Sequence, residues 1–130
     1  PSLVGSEMCI RDRVDALAGE MDSGLSVRTG DKIRLLWVSG SWTVDRQNLP
    51  YVDRDGYDLT TDRQIAPDQN CKLIPDWPYG RLLVRIGNYH YGTNIFTADS
   101  EGSLVLEIND APPCRHDNGG YMQVAILVTR

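Results

Sequence analysis

A chain of 130 residues has the length of one domain, and its hydrophobic content of 41% is enough to build a core. Its charged content of 24% is ordinary for a globular protein, and no apolar stretch reaches the roughly 18 residues of a membrane span, so we expect no membrane insertion. The formal net charge of −5 argues against a nucleic-acid partner, because phosphate binding needs clustered Lys and Arg.

The first thirteen residues, PSLVGSEMCIRDR, resemble a translated sequencing-adaptor read. We therefore expect residues 1–13 to be non-native and take residues 14–130 as the domain. With Cys9 set aside, Cys71 and Cys114 remain. This even pair fits either a disulfide or two free thiols.

Apolar and polar residues alternate with period two in four stretches, which predicts four strands. The apolar members are Ile33, Leu35 and Trp37; Leu82, Val84 and Ile86; Leu104, Leu106 and Ile108; and Met122, Val124, Ile126 and Val128. Val14–Met21 fits a short helix or an early strand equally well. Short strands between turns rich in Gly, Pro and Asp predict an all-β fold, a jelly-roll β-sandwich whose function resides in its loops.

One loop is longer than a hairpin requires. Residues Asn109–Gly120, NDAPPCRHDNGG, connect two strands that we expect to be close neighbours. A hairpin turn needs only about two to five residues. Asp110, Asp117 and Asn118 supply hard side-chain oxygens, which are the ligands that Ca²⁺ prefers. On composition alone, a solvated polar loop is the favoured explanation of the segment, and a calcium site is the alternative.

From about Val14 to its end, the chain resembles the PA-IL (LecA-like) family of calcium-dependent, galactose-binding lectins. The resemblance lies in the order and spacing of short pieces along the chain: Thr29–Asp31, Pro67–Gln69, Tyr79–Gly80, Val84–Asn88, Asn109–Pro112 and Asp117–Gly120. It implies a galactose-binding-domain-like jelly roll, in which Cys71 and Cys114 would come to the same end of the sandwich.

The resemblance also implies the ligands of one Ca²⁺ ion. Asp110, Asp117 and Asn118 would bind it through side-chain oxygens, and Cys114 and Val44 through their backbone carbonyls. In this family O3 and O4 of galactose complete the coordination shell. Asp110 and Asp117 would then accept hydrogen bonds from the two sugar hydroxyls.

Three further positions are implied to contact the sugar. Gln69 matches a family Gln that contacts O6 of galactose, while Pro67 and Tyr79 would line the site. Ala66 stands where the family has a His, and Asp117 stands where the family has Asn. These two departures leave calcium ligands in place but remove one polar contact to O6.

Other candidate ligands have ordinary structural explanations. Asp53–Gly56 is expected to form a tight turn and not a second metal site, because the remaining oxygen ligands of a calcium loop are missing. Trp42 and Trp77 are able to stack on a sugar face, but we expect core or loop-anchoring roles for both. His116 is expected to be an exposed loop residue.

No nucleophile motif, zinc-type spacing or selected carboxylate pair indicates an enzyme. The predicted function is a calcium-dependent lectin for galactose or galactose-terminated glycans, acting outside the cell or at its surface. The family is often oligomeric, which implies a homo-oligomer with avidity for weak sites. Two alternatives remain: a carbohydrate-binding module of a larger glycan-active protein with another sugar specificity, and an interaction domain whose calcium is purely structural.

Overall fold

The structure is a computed structural model that describes residues 7–65 and 70–130. Its strands are β1 (Glu7–Asp15), β2 (Glu20–Val27), β3 (Lys32–Thr43), β4 (Leu82–Ile86), β5 (Tyr89–Tyr91), β6 (Ile95–Thr97), β7 (Gly102–Ile108) and β8 (Gly119–Thr129). Helix α1 (Leu59–Ile65) follows β3, and a 3₁₀ helix (Pro112–Asp117) separates β7 from β8. Among the described residues, no helix has the length and apolar character needed to cross a bilayer.

The strands form two antiparallel sheets around one core. The strand order is β1-β8-β3-β6 in the first sheet and β2-β7-β4-β5 in the second. The period-two alternation turns one face of each central strand inward, so Leu104 and Leu106 of β7 and Met122 and Ile126 of β8 are fully buried. The predicted all-β sandwich is confirmed, and the four predicted strands lie within β3, β4, β7 and β8.

Trp37 does not follow the predicted pattern of its strand. Ile33 and Leu35 face the core, but the register of β3 against β8 shifts between Leu35 and Trp37. An extra residue in one strand turns the following side chains to the other face of the sheet. Trp37 is therefore on the outer surface and 50% exposed.

The beginning of the described chain is an edge strand. Strand β1 pairs with β8 from Glu7 opposite Thr129 to Asp15 opposite Tyr121. The segment Val14–Met21, whose pattern fits a helix or a strand, contains the end of β1, a turn and the start of β2. Residues 7–13 thus have a place in the first sheet, and their non-native origin stays a prediction.

The long connection before β8 crosses the sandwich. Strand β7 belongs to the second sheet and β8 to the first, so the expectation that they are close neighbours is wrong. Packed sheets lie about 10 Å apart, which a hairpin turn does not span. The connection covers residues 109–118, because Gly119 and Gly120 already belong to β8. Its length therefore serves a change of sheet at one end of the fold.

The predicted turn at Asp53–Gly56 is present. The Gly56 N–H donates to the Asp53 carbonyl at 3.1 Å, and the Asp53 side chain accepts from the Asp55 N–H at 2.9 Å. Gly56 has a φ of +79°, a conformation that glycine adopts without steric cost. The aspartates of this segment therefore have a structural role in the turn, as predicted.

Trp42 and Trp77 support the fold and the loops. Trp42 is fully buried, and its indole N–H donates to the Gly80 carbonyl at 2.6 Å. The Trp77 ring lies 4.6 Å from the guanidinium carbon of Arg81, a cation–π contact. The core and loop-anchoring roles expected for the two residues are confirmed.

Candidate functional site

Backbone hydrogen bonds hold the connection between β7 and β8 against two other loops. The Ala111 N–H donates to the Cys71 carbonyl at 2.6 Å, and the Arg46 N–H donates to the Asp117 carbonyl at 2.9 Å. Pro112–Pro113 begins the 3₁₀ helix, where the missing N–H is not needed and the fixed φ suits a helical start. The connection is therefore fixed at both ends and stiffened between them.

A cavity of about 500 Å³ opens beside this connection. Four of the five residues predicted to hold the metal line it: Val44, Asp110, Cys114 and Asp117. The fifth, Asn118, is buried, with 2% of its surface exposed. The structure thus brings residues from two distant parts of the sequence to the wall of one cavity.

The remaining walls of the cavity are both polar and apolar. Asn48 and Leu49 come from the segment after β3, and Gln64 and Ile65 come from the end of α1. His116 is exposed, as predicted, and it also lines the cavity. A mixture of apolar walls and a few polar groups is typical of a small-molecule site.

The predicted calcium ligands have buried oxygens without partners. In the described ranges, side-chain oxygens that are buried and accept no hydrogen bond occur on Asp110 (Oδ2), Asp117 (Oδ1) and Asn118 (Oδ1). The buried nitrogens without a partner belong to Arg85 and Arg115, whose guanidinium groups lie near Glu107. Each unsatisfied oxygen costs about 1–3 kcal/mol unless something binds it. Two carboxylates and an amide oxygen are hard donors, so this set fits a Ca²⁺ ion.

Burial raises the pKa of Asp110 to about 7. The negative charge of Asp117 acts in the same direction, while the amide of Asn118 and the charge of Arg115 oppose the rise. The charge of Asp117 and the amide of Asn118 are therefore near enough to Asp110 to change its pKa. A bound divalent cation has the opposite effect to burial, because it favours the ionised carboxylate.

The structure corrects one predicted sugar contact. Tyr79 is 1% exposed and packs in the core, where its hydroxyl accepts a 3.4 Å hydrogen bond from the Cys71 N–H. Its ring is too deeply buried to form a wall for a sugar. Tyr79 instead supports the loop at Cys71 from inside the core. Gln69, Pro67 and the substituted position Ala66 lie outside the described residues, so their roles stay predictions.

Cys71 and Cys114 form a disulfide across a sequence separation of 43 residues, with their Cα atoms 6.2 Å apart. Of the two alternatives that the sequence left open, the structure therefore has the bridge. It links the segment before β4 to the 3₁₀ helix, and both cysteines line the cavity. Cys9 is an exposed free thiol.

Sequence reasoning missed the role of Asn109. This residue is fully buried, and its side-chain oxygen accepts from the Leu73 and Ile74 N–H groups at 2.9 and 3.0 Å. Its amide nitrogen lies 3.0–3.1 Å from the carbonyls of Ile74, Trp77 and Pro78. Asn109 thus shapes the segment that contains Cys71. The only sequence signal was its place in the piece Asn109–Pro112.

Arg115 was also missed. It is 5% exposed, and its Nε–H donates to the carbonyl of Asp110 at 2.6 Å. Its Nη atoms lie 3.5 Å from a carboxylate oxygen of Glu20 and 3.6 Å from one of Glu107. The side chain therefore ties the connection to the second sheet. No pattern in the sequence indicates these partners, because the fold alone brings them together.

Comparisons with known proteins agree with this architecture. No family model matches the chain, and no curated protein matches it. Among solved structures, the chain is similar to the N-terminal domain of EclA, described as a PllA-like lectin. The TM-score is 0.64 at 23% identity, and the match covers 91% of this chain and 94% of the other. This similarity supports the sandwich fold over nearly the whole chain.

Proposed function

We propose that this domain is a calcium-dependent lectin that binds a terminal galactose-like sugar in the cavity beside residues 109–118. One observation carries the proposal: all three side chains predicted to bind Ca²⁺ have a buried oxygen without a hydrogen-bond partner. Most buried polar groups in proteins are paired, so three such oxygens in neighbouring side chains of one connection require an explanation. A bound cation satisfies all of them together.

The chain supplies the ligand set from two loops. Asp110, Asp117 and Asn118 would contribute side-chain oxygens, and Cys114 and Val44 their backbone carbonyls. The bound ion would offer two further coordination positions to adjacent sugar hydroxyls. Asp110 and Asp117 would also accept hydrogen bonds from those hydroxyls, which orients the sugar relative to the cavity.

The cavity has walls suited to a sugar ring. Asn48 and Gln64 offer amide groups to hydroxyls, while Leu49 and Ile65 offer apolar surface to C–H groups. The structurally similar domain of EclA is itself described as a lectin, which supports recognition of a sugar and not catalysis. The disulfide favours an oxidising compartment, in keeping with action outside the cell. Self-association would add avidity.

Calorimetric titration with galactose tests the proposal, first in Ca²⁺ and then in excess chelator. The parent should bind galactose in Ca²⁺, bind glucose more weakly, and lose both on chelation. Asp110→Asn should lose both Ca²⁺ and galactose binding, because it removes a carboxylate shared by ion and sugar. Asp99→Asn, the same change in an exposed turn outside the cavity, should behave as the parent does.

Other outcomes would select a different function. Binding of another glycan without a preference for galactose would indicate a carbohydrate-binding module of different specificity. Ca²⁺ binding that no glycan on an array influences would indicate an interaction domain with structural calcium. Galactose binding that survives chelation would contradict the proposal.

A further inference from the structure

We infer that reduction of the Cys71–Cys114 disulfide creates a second kind of metal site, in which the two cysteine sulfurs and the Asp110 carboxylate bind a thiophilic divalent cation such as Zn²⁺. This site would share the cavity wall with the calcium site but would use two sulfur ligands in addition to a carboxylate. It would exist only in the reduced chain.

The ligand atoms are already close together. The sulfurs of Cys71 and Cys114 and a carboxylate oxygen of Asp110 all lie within 4.8 Å of one another. Tetrahedral zinc holds sulfur at about 2.3 Å and carboxylate oxygen at about 2.0–2.2 Å, so ligand atoms of one site lie within about 4 Å of each other. Small side-chain movements after the S–S bond breaks would complete the geometry. Two thiolates and one carboxylate leave a fourth position for water.

Asp110 provides an independent sign that this spot attracts a cation. Asp110 is 1% exposed, and its Oδ2 atom has no hydrogen-bond partner. Asp110 alone suits hard cations such as Ca²⁺, whereas two thiolates added beside it favour softer ions. The redox state of the cysteines would therefore change which class of metal the cavity wall prefers.

Cys71 is 8% exposed and Cys114 is partly exposed, and both line the cavity, through which a reductant would reach the S–S bond. The reductant would be a dithiol or, in the test tube, a phosphine. With a phosphine, phosphorus gives two electrons to the S–S bond, which breaks; the phosphine becomes a phosphine oxide with the oxygen of one water, and the two hydrogens of that water pass to the sulfurs. Binding of the cation then releases both thiol protons to solvent.

The inference rests on the proposed function in one respect, which is the competition between two cations. Asp110 belongs to both ligand sets, so Zn²⁺ bound to the reduced chain should lower its Ca²⁺ affinity by at least about tenfold, within the usual range of coupling between sites. Reduction in the presence of Zn²⁺ would thus switch the cavity away from its calcium form.

The test uses the full chain carrying Cys9→Ser, which removes the unrelated exposed thiol. After reduction with a phosphine, Zn²⁺ affinity is measured by competition with a chromogenic chelator, and Co²⁺ is used as a spectroscopic substitute. We expect one ion per reduced chain and a thiolate-to-cobalt charge-transfer absorption that the oxidised chain lacks. Cys71→Ser and Asp110→Asn should each weaken Zn²⁺ binding by more than the roughly 10–100-fold that loss of an outer-shell partner causes.

Three results would overturn the inference: equal Zn²⁺ affinity in both redox states, a cobalt spectrum without thiolate absorption, or Ca²⁺ affinity of the reduced chain that Zn²⁺ does not change. Circular dichroism follows folding, and unfolding on reduction that Zn²⁺ does not reverse would overturn it as well. The Ca²⁺ affinity of the oxidised chain is measured in the same series. If the oxidised chain binds Ca²⁺ but the reduced chain binds no Zn²⁺, only this inference fails. If the oxidised chain binds no Ca²⁺, the proposed function fails by itself.

Discussion

At the scale of single residues, Asp110 is a carboxylate in a place where ionisation is unfavourable without a cation. It is 1% exposed, one oxygen has no partner, and burial raises its pKa to about 7 from an ordinary value of 3.8. Asp117 adds a second negative charge nearby. Such an arrangement is costly for stability alone and is typical of a binding site.

The raised pKa predicts an unusual dependence of stability on pH in chelator. Between pH 3.8 and about 7, folded Asp110 keeps a proton that the unfolded chain has released. The contribution of Asp110 to folding is therefore complete below pH 3.8 and lost as pH rises to about 7, by up to about 4 kcal/mol. Thermal unfolding from pH 4 to 8 should show Asp110→Asn gaining stability relative to the parent as pH rises.

Calcium should reverse the order of stability of the parent and Asp110→Asn. At pH 7.5 in saturating Ca²⁺, the parent should be stabilised by on the order of 2.7 kcal/mol at a hundredfold excess over its dissociation constant, whereas Asp110→Asn should gain nothing. Asp99→Asn serves as the control in both series. Parallel pH profiles for the parent and Asp110→Asn in chelator would show that the pKa of Asp110 is not raised in the folded chain.

At the scale of elements, four of the eight described strands were predictable and the connections were not. Period-two alternation marks β4, β7 and β8 because each buries one continuous face. Helix α1 has seven residues and no clear period; it depends on tertiary contacts such as the Asp62 carboxylate, which accepts from the Tyr79 N–H at 2.7 Å. The change of sheet between β7 and β8 likewise depends on topology, which local sequence does not encode.

In the candidate site, too, the contacts that depend on topology were not predictable from local sequence. The carboxylates and Asn118 were found because hard oxygens are visible in sequence, and Val44 and Cys114 came from resemblance alone. Tyr79 was misplaced because an aromatic side chain suits a sugar wall and a core equally. Arg115 was missed because its partners Glu20 and Glu107 lie in strands of the second sheet.

Replacing Asn109 should have a large effect on the segment between Cys71 and Gly80. Asn109→Ala would leave the N–H groups of Leu73 and Ile74 without their acceptor, at a cost of about 2–4 kcal/mol in unfolding free energy. Chemical denaturation measures this loss. Asn109→Asp keeps the acceptor but places a carboxylate against backbone carbonyls, so it should also destabilise the fold. A loss below about 0.5 kcal/mol for both variants would contradict the anchoring role.

At the scale of the whole molecule, the disulfide should contribute stability by restricting the unfolded chain. For a sequence separation of 43 residues, the chain-entropy relation gives about 4 kcal/mol. The double variant Cys71→Ser/Cys114→Ser should therefore lose about that amount in chelator, measured by denaturation of Cys9→Ser proteins. If reduction and the double substitution leave the unfolding midpoint unchanged, the two cysteines are not bridged in solution.

Calcium and sugar are proposed to occupy one site and to stabilise each other's binding. Linkage requires that galactose raise the affinity for Ca²⁺ by the same factor by which Ca²⁺ raises the affinity for galactose. The most direct measurement is the Ca²⁺ dissociation constant of the oxidised chain, titrated alone, with saturating galactose, and with glucose at the same concentration. We expect at least about fivefold tighter Ca²⁺ binding in galactose and a smaller change in glucose. A Ca²⁺ affinity that galactose leaves unchanged would contradict it.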